Sequence, residues 1–356
     1  MDELFHLLTA ALLPGVGPRK VRELTARGPL GPTLARPLEL KDLLSPQAVG
    51  ALRSGAAARR AASELDTARG LGVTVLGWDH PLYPELLRRA YDPPPVLYVR
   101  GEVPLAADQA PAIAIVGARA ASAQGRALAR ALGRDLAAAG ATVVSGLARG
   151  IDTAAHEGAL LARGRTVAVL GSALDRLYPP ENAPLAAAVA GSGAVVSEFP
   201  FATEPHASNF PRRNRVLAAW SRAVVVVEAA ERSGALITAR CALDEGREVM
   251  AVPGHPSHRG SQGTNQLLKD GAALVRDAQD VAAELCFDLV PRSEAVPNGG
   301  LLDSLRLDVP TSLDELRERS GHALPQLLAE LSRLEVAERI RRLPGPLYLR
   351  VSPERV

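Results

Sequence analysis

The chain has 356 residues, 47% of them hydrophobic, and this length predicts two or three domains with a sizeable core. No apolar run reaches the roughly 18 residues of a membrane span, and the opening MDELFHLL carries two acids and no basic leader, so a soluble cytoplasmic protein without a signal peptide is expected. The formal net charge is only +2, and of the 41 basic residues just Lys20, Lys41 and Lys269 are lysine; none is followed by Ser or Thr, which excludes a standard P-loop. The two cysteines, Cys241 and Cys286, exclude a disulfide framework and a zinc-finger spacing.

Four regions follow one another. Residues 1–70 read as short helices punctuated by Gly and Pro, an N-terminal helical domain. Within it, Leu13-Pro14-Gly15-Val16-Gly17-Pro18-Arg19-Lys20-Val21 resembles the turn of a helix-hairpin-helix, whose backbone amides touch phosphates without reading sequence. Residues 71–290 form the central domain, with a leading segment over 71–110. Its apolar runs at 112–117, 141–146, 166–171, 193–198, 223–229 and 248–254 are too short for helices and rich in β-branched residues, as expected of strands buried on both faces. Helix-length stretches at 122–139, 152–163, 212–220 and 234–245 lie between them, which predicts an α/β, Rossmann-like, doubly wound parallel sheet. The Pro/Gly-rich stretch 291–300 reads as a linker. Over 301–356, a helix opening at Thr311-Ser312, a second over 323–334 and a strand–turn–strand over 339–349 make a winged helix. Its second helix has few side chains suited to reading bases.

Ligands of such sheets sit at the carboxyl ends of the strands. Those ends here hold Gly117-Ala118-Arg119 with Ser122 as a helix cap, Ser145-Gly146 with Arg149, Gly171-Ser172, and Ser233-Gly234. Small residues allow close approach, and helix N-terminal amides favour anions, so the set predicts a phosphate-binding rim. It is no dinucleotide site: Gly117-Ala118-Arg119-Ala120-Ala121-Ser122 lacks the second and third glycines of G-x-G-x-x-G, and the second strand ends in Ser145 rather than an acid. The densest basic cluster, Phe210-Pro211-Arg212-Arg213-Asn214-Arg215, is placed at the start of a helix, where Phe210 either anchors the core or offers a face to a single-stranded base.

Catalytic patterns are sparse. There is no G-x-S-x-G elbow. His255 and His258 flank a proline with no acidic third ligand nearby, so no metal is expected, and no cofactor either. Asp152 and His156, at i and i+4, are either an acid/base pair or a helix-start Asp beside a hydrogen-bonding His.

Several stretches are similar to the DprA/Smf family (DNA-processing protein A): IVGARAAS (115–122), VVSGLARGIDTAAHEGAL (143–160), TVAVLGSALDRLYPPEN (166–182), FPRRNRVLAAWS (210–221), SGALITARCALDEGREVMAVPG (233–254) and GTNQLLKDGA (263–272), preceded by WDHPLYPELLRRAYDPPPVLYVRGE (78–102). The resemblance implies a non-enzymatic protein that binds single-stranded DNA without sequence specificity, protects it, loads RecA recombinase onto it in transformation or recombination, and forms a homodimer through the Rossmann-like domain, here placed near Thr264 to Leu285. It implies that Gly117 and Arg119 hold phosphates, that Ser145, Gly146 and Gly171 line the path, and that Arg212 to Arg215 continue it with Phe210 against a base. One departure stands out: the family often places a lysine about three residues before that phenylalanine, where this chain has Ala207, and Arg212 or Arg213 is expected to supply the charge instead. Two other readings compete. One is a Rossmann-like nucleotide hydrolase of the nucleoside monophosphate phosphoribohydrolase type, with Glu228, or Asp152 with His156, as base. The other is a transcription regulator acting through its winged helix.

Overall fold

The structure, a computed structural model, describes residues 3–104, 111–289, 301, 305, 310–320, 324–336, 339–343 and 345–350. The linker expected at 291–300 lies outside them. Two compact units, 1–291 and 292–356, divide the chain.

The first unit opens with α1 (Glu3–Ala11), α2 (Pro18–Ala26), α3 (Leu30–Leu34), α4 (Pro46–Arg53) and α5 (Ala56–Gly70). Then come β1 (Thr74–Gly77), α6 (Glu85–Arg88), β2 (Val96–Gly101), β3 (Ala112–Val116), α7 (Ala123–Ala138), β4 (Thr142–Ser145), α8 (Ile151–Leu161), β5 (Thr166–Val169), α9 (Ala183–Ser192) and β6 (Gly193–Ser197). The last elements are α10 (Asn209–Trp220), β7 (Ala223–Val226), α11 (Gly234–Asp244), β8 (Glu248–Ala251), α12 (Gln262–Lys269), β9 (Ala273–Leu274) and α13 (Ala278–Leu285). One nine-stranded sheet has the order β1-β2-β6-β5-β4-β3-β7-β8-β9. All neighbours from β6 to β9 pair in parallel, as the doubly wound reading requires. The leading segment adds what the apolar runs did not disclose: β1 and β2 extend the β6 edge as antiparallel strands.

Alternation along each strand sends side chains to both faces. Ile113 and Ile115 enter the core under α7, α8 and α13, while Ala114 and Val116 enter the core under α10 and α11. The helical region 1–70 shares its core with the sheet: Leu8, Val21 and Leu24 join one cluster with Ala168, Leu170 and Val195. No boundary of packing therefore falls at residue 70. The chain leaves β3 toward β4, β5 and β6 on one side and returns to β7 on the other, so the order reverses between β3 and β7. At such a switch the loops diverge to opposite faces and leave a crevice.

The second unit contains β10 (Thr311–Ser312), α14 (Leu313–Ser320), α15 (Leu324–Val336), β11 (Ile340–Leu343) and β12 (Leu347–Arg350), with sheet order β10-β12-β11. Leu316, Leu327, Leu331, Ile340 and Tyr348 form its core. This is the expected winged helix. Ser312 caps α14, its hydroxyl accepting the Glu315 amide at 3.2 Å.

Candidate nucleic-acid interface

A cleft of about 760 Å³ opens at the switch point, between the loop after β3 and the loop after β7. Gly117, Ala118 and Arg119 line one wall and Arg232, Ser233 and Gly234 the other, with Phe210, Arg213, Asn214 and Leu217 of α10 between them. Those four residues stand at i, i+3, i+4 and i+7, one face of a helix. At the inner end Arg119, Gly146, Arg149, Gly171, Phe210 and Arg213 meet Tyr178. Residues from four loops and one helix, spread over more than a hundred positions of sequence, thus share one surface.

The aromatic centre is built first. Phe210 packs over Gly171, where an added Cβ would sit 2.8 Å from the ring. Tyr178 tilts against Phe210 with centroids 6.0 Å apart, and the exposed Arg119 guanidinium lies 4.8 Å from the Phe210 centroid. A cation on an aromatic face in this range gains electrostatic attraction while its outer N–H groups stay available. Neither Arg119 nor Arg232 has an ion-pair partner among the described residues. The backbone amides of Arg119, Gly171, Ser172 and Gly234 have no protein acceptor among the described residues.

Beneath them Arg213 and Asp152 are buried within reach of each other's charge. The Arg213 guanidinium donates to the Val169 carbonyl at 2.7 Å and lies flat against Gly146, where a Cβ would stand 1.7 Å from its Nη1. Only glycine fits there. Asp152, in the first turn of α8, accepts the amides of Gly146 (3.1 Å) and Ala148 (3.4 Å). Burial pushes the Asp152 carboxyl above its ordinary range and the Arg213 guanidinium below its own, each restrained by the other's charge. The Nε of Arg213 is buried without a partner among the described residues. Gly150, at φ +80° and pressed on the carbonyl of Ala118, lets the chain turn into α8.

Several expected rim residues are committed elsewhere. The Ser145 hydroxyl is wholly buried and donates to the Ile115 carbonyl at 2.6 Å, tying β4 to β3. Ser172 is buried, and its carbonyl accepts the Ser197 hydroxyl at 2.7 Å. Ser122 caps α7 by accepting the Gly125 amide at 2.9 Å, and its own hydroxyl donates to Glu228. Ala118 donates its amide to the Glu228 carbonyl at 2.8 Å, and Gly117 is packed against Ile151. Arg149 lines the inner end while pairing with Glu181. Ser233 caps α11 and, with Gly234, faces the cleft. Asn214 faces it too, donating to the Gly234 carbonyl at 3.2 Å.

The arginine run divides. Helix α10 begins at Asn209, not at residue 212, because Pro211 falls in the first turn, where its missing N–H has no helical partner to lose. The arginines therefore do not crowd the helix N-terminus. Arg212 and Arg215 turn away from the cleft toward Glu198, whose side chain is only 4% exposed. Arg215 pairs with that carboxylate and donates to the Asp92 carbonyl; Arg212 lies 3.7 Å from it and 4.9 Å from the Phe199 centroid. The sequence reading missed Tyr178 and Arg232. An aromatic before the Pro179-Pro180 pair at a strand-end loop was the signal for the first, and a cation next to the Ser233 cap for the second.

The acid/base candidates are likewise occupied. His156 is buried, with Nδ1 2.7 Å from the Thr166 hydroxyl, and burial pushes its pKa down to about 3. It makes no hydrogen bond to Asp152 among the described residues. Glu228 accepts both the amide (2.9 Å) and the hydroxyl of Ser122. Among the described residues there is no cluster of metal-ligating side chains, and no helix is long and apolar enough to cross a membrane.

Comparison with known proteins gives the lineage. The family model for DNA recombination-mediator protein A matches residues 74–286, and that for the DprA winged helix domain matches residues 291–346. Protein Smf of Escherichia coli is 42% identical over 282 residues, 75% of each chain. The X-ray structure of DNA processing protein A from Streptococcus pneumoniae superposes with a TM-score of 0.62 at 32% identity, covering 81% of this chain and 99% of that one. That of DNA processing protein A from Helicobacter pylori, solved for its single-stranded DNA binding mode, gives 0.54 at 30% identity over 60% of this chain and 95% of that one. The chain belongs to the DprA/Smf family.

Proposed function

We propose that this protein binds single-stranded DNA through the switch-point cleft, without sequence preference, and delivers it to RecA recombinase during transformation or recombination. The observation that carries the reading is the Arg119–Phe210–Tyr178 cluster beside amides with no protein acceptor among the described residues. Rings offer a face to any base, while Arg119, Arg232 and the amides take phosphates. The Helicobacter pylori relative, described by its single-stranded DNA binding mode, supports the same ligand here. At Ala207, which lines the cleft, this chain lacks the lysine common in the family; Arg212 turns to Glu198 and Arg213 is buried, so the second exposed cation of the cleft is Arg232.

We infer a non-enzymatic role, since Asp152 and Glu228 hold the loops after β4 and β3 and the buried His156 bonds to Thr166 of β5. Action in the cytoplasm and as a homodimer belongs to the same reading. The sheet ends at the two-residue strand β9 with Leu274 47% exposed, an edge suited to a second copy and within the segment expected to dimerise. Two clefts on one strand would raise avidity. Fluorescence anisotropy with a labelled single strand and its matched duplex tests the ligand. Strand-selective binding that weakens with salt is expected; equal binding of duplex would count against it. Release of free base from nucleotides by pure protein would move the assignment to hydrolysis.

A further inference from the structure

The hairpin-like turn near the N-terminus contributes nothing to the cleft, but the helix that follows it frames a second aromatic. Tyr91 is 65% exposed, yet its backbone is fastened from two sides. The Arg22 guanidinium donates to the carbonyls of Tyr91 (3.2 Å) and Ala90 (3.4 Å), and the Tyr91 amide donates to both carboxylate oxygens of Glu245 at 3.2 Å. The Arg19 guanidinium lies 4.4 Å from the ring centroid. Arg19 and Arg22, at i and i+3 on α2, share one helix face and close a shallow pocket with Tyr91. A ring so exposed on so well anchored a backbone gains little from packing. One face is covered by a cation, and the exposure leaves the other open.

The position relates this patch to the cleft. Ile237 and Thr238 of α11 line the cleft, and Glu245, which holds Tyr91, follows Ile237 by eight residues, about 12 Å along a helix. A strand leaving the cleft along α11 meets Tyr91 within a few nucleotides. Of the acids nearby, Glu245 is occupied by the Tyr91 amide, while Arg19 and Arg22 leave the pocket cationic beside Glu23.

We propose that Tyr91 and Arg19 form a second single-strand contact outside the cleft, a base stacking on the open face of Tyr91 and Arg19 taking the adjoining phosphate. The inference rests on the single-strand reading of the cleft and extends its footprint. The ligand class follows from the chemistry: a flat ring backed by a guanidinium repeats, on a second surface, the Arg119–Phe210 arrangement.

The test uses the full chain with a long single strand and one of about 6 nucleotides, short enough to be confined to the cleft. Tyr91→Ala is expected to weaken the long strand about tenfold, within the range of one stacked base, and to leave the short one unchanged. Tyr91→Phe should bind like the parent. As an independent readout, the indole of Tyr91→Trp should be quenched by the long strand only. Parent-like binding of the long strand by Tyr91→Ala, with no quenching in Tyr91→Trp, would overturn the proposal. An equal loss on both lengths would also overturn it, because that reports a disturbed cleft. Arg119→Ala, measured in parallel, keeps the two readings apart: if it weakens both lengths the cleft stands whatever Tyr91 does, and if it weakens neither the cleft reading itself fails.

Discussion

On one face of α10, Phe210, Arg213 and Asn214 line the cleft; on the other, Arg212 and Arg215 close on Glu198. Three arginines within four residues therefore serve different ends, and burial with pairing decides which. Arg215 neutralises a carboxylate taken out of water, so it is spent on the fold. Arg213 is buried too, but it forms the floor on which the cleft rests. Arg119, from a different loop, stays exposed, its guanidinium 4.8 Å from the Phe210 centroid and without a carboxylate partner among the described residues. Counting basic residues in a motif overstates the charge available to a phosphate; what matters is which guanidinium has no carboxylate.

The largest effect that would sharpen this contrast is expected at Arg215. Arg215→Ala leaves Glu198 buried with only the more exposed Arg212, 3.7 Å away, and chemical denaturation should show a loss of about 3 kcal/mol. The folded protein should still bind a single strand like the parent; lost affinity at parental stability would mean the faces are reversed. Gly146→Ala comes next. Its Cβ would collide with the Arg213 guanidinium, so both stability, by about 2 kcal/mol, and strand affinity should fall together. A variant that keeps both would show that the floor is not needed.

Acid separates the buried His156 from the buried carboxylates. His156 is held down to about 3 from an ordinary 6.5, so its stabilisation is complete above pH 6.5 and is lost as pH falls toward 3. At pH 5 that is a loss of about 2 kcal/mol, from roughly 1.5 pH units at 1.36 kcal/mol each. Asp152 and Glu198, both pushed up by burial, contribute with the opposite sign, stabilising at low pH and less as pH rises. The difference in stability between parent and His156→Gln cancels the carboxylates: as pH falls below 6.5 the parent should lose stability relative to the variant by about 1.36 kcal/mol per pH unit, and parallel curves would refute the assignment. The smallest effect is expected at Phe210→Leu, which keeps apolar packing over Gly171 and loses the π face. Strand affinity should drop by less than about tenfold, with stability nearly unchanged.

Much of this was legible in the sequence. The six central strands were readable because they are buried on both faces, and their short β-branched runs leave no other reading. Strands β1, β2, β9 and β10 were not: two of them are two residues long, and the other two gain strand form only by pairing against β6 and each other. The glycine turns and Phe210 pointed to the right edge of the sheet. The committed residues were hidden for a physical reason. A serine at a strand end looks the same whether its hydroxyl faces a ligand or, like Ser145, the neighbouring strand's carbonyl. Likewise, opening α10 at residue 212 instead of Asn209 puts all three arginines in its first turn, at the anion-favouring end, which is why Arg212 and Arg215 read as rim residues.

The central claim is that Arg119 meets phosphate in the cleft while Arg215 does not. A salt series of single-strand affinity for the parent, Arg119→Ala and Arg215→Ala measures this directly. Each phosphate contact in a single strand contributes a slope of about −0.7 in log affinity against log salt. The expected result is a slope shallower by about 0.7 for Arg119→Ala and unchanged for Arg215→Ala. An unchanged slope in Arg119→Ala, or a shallower one in Arg215→Ala, would contradict the assignment of the two faces.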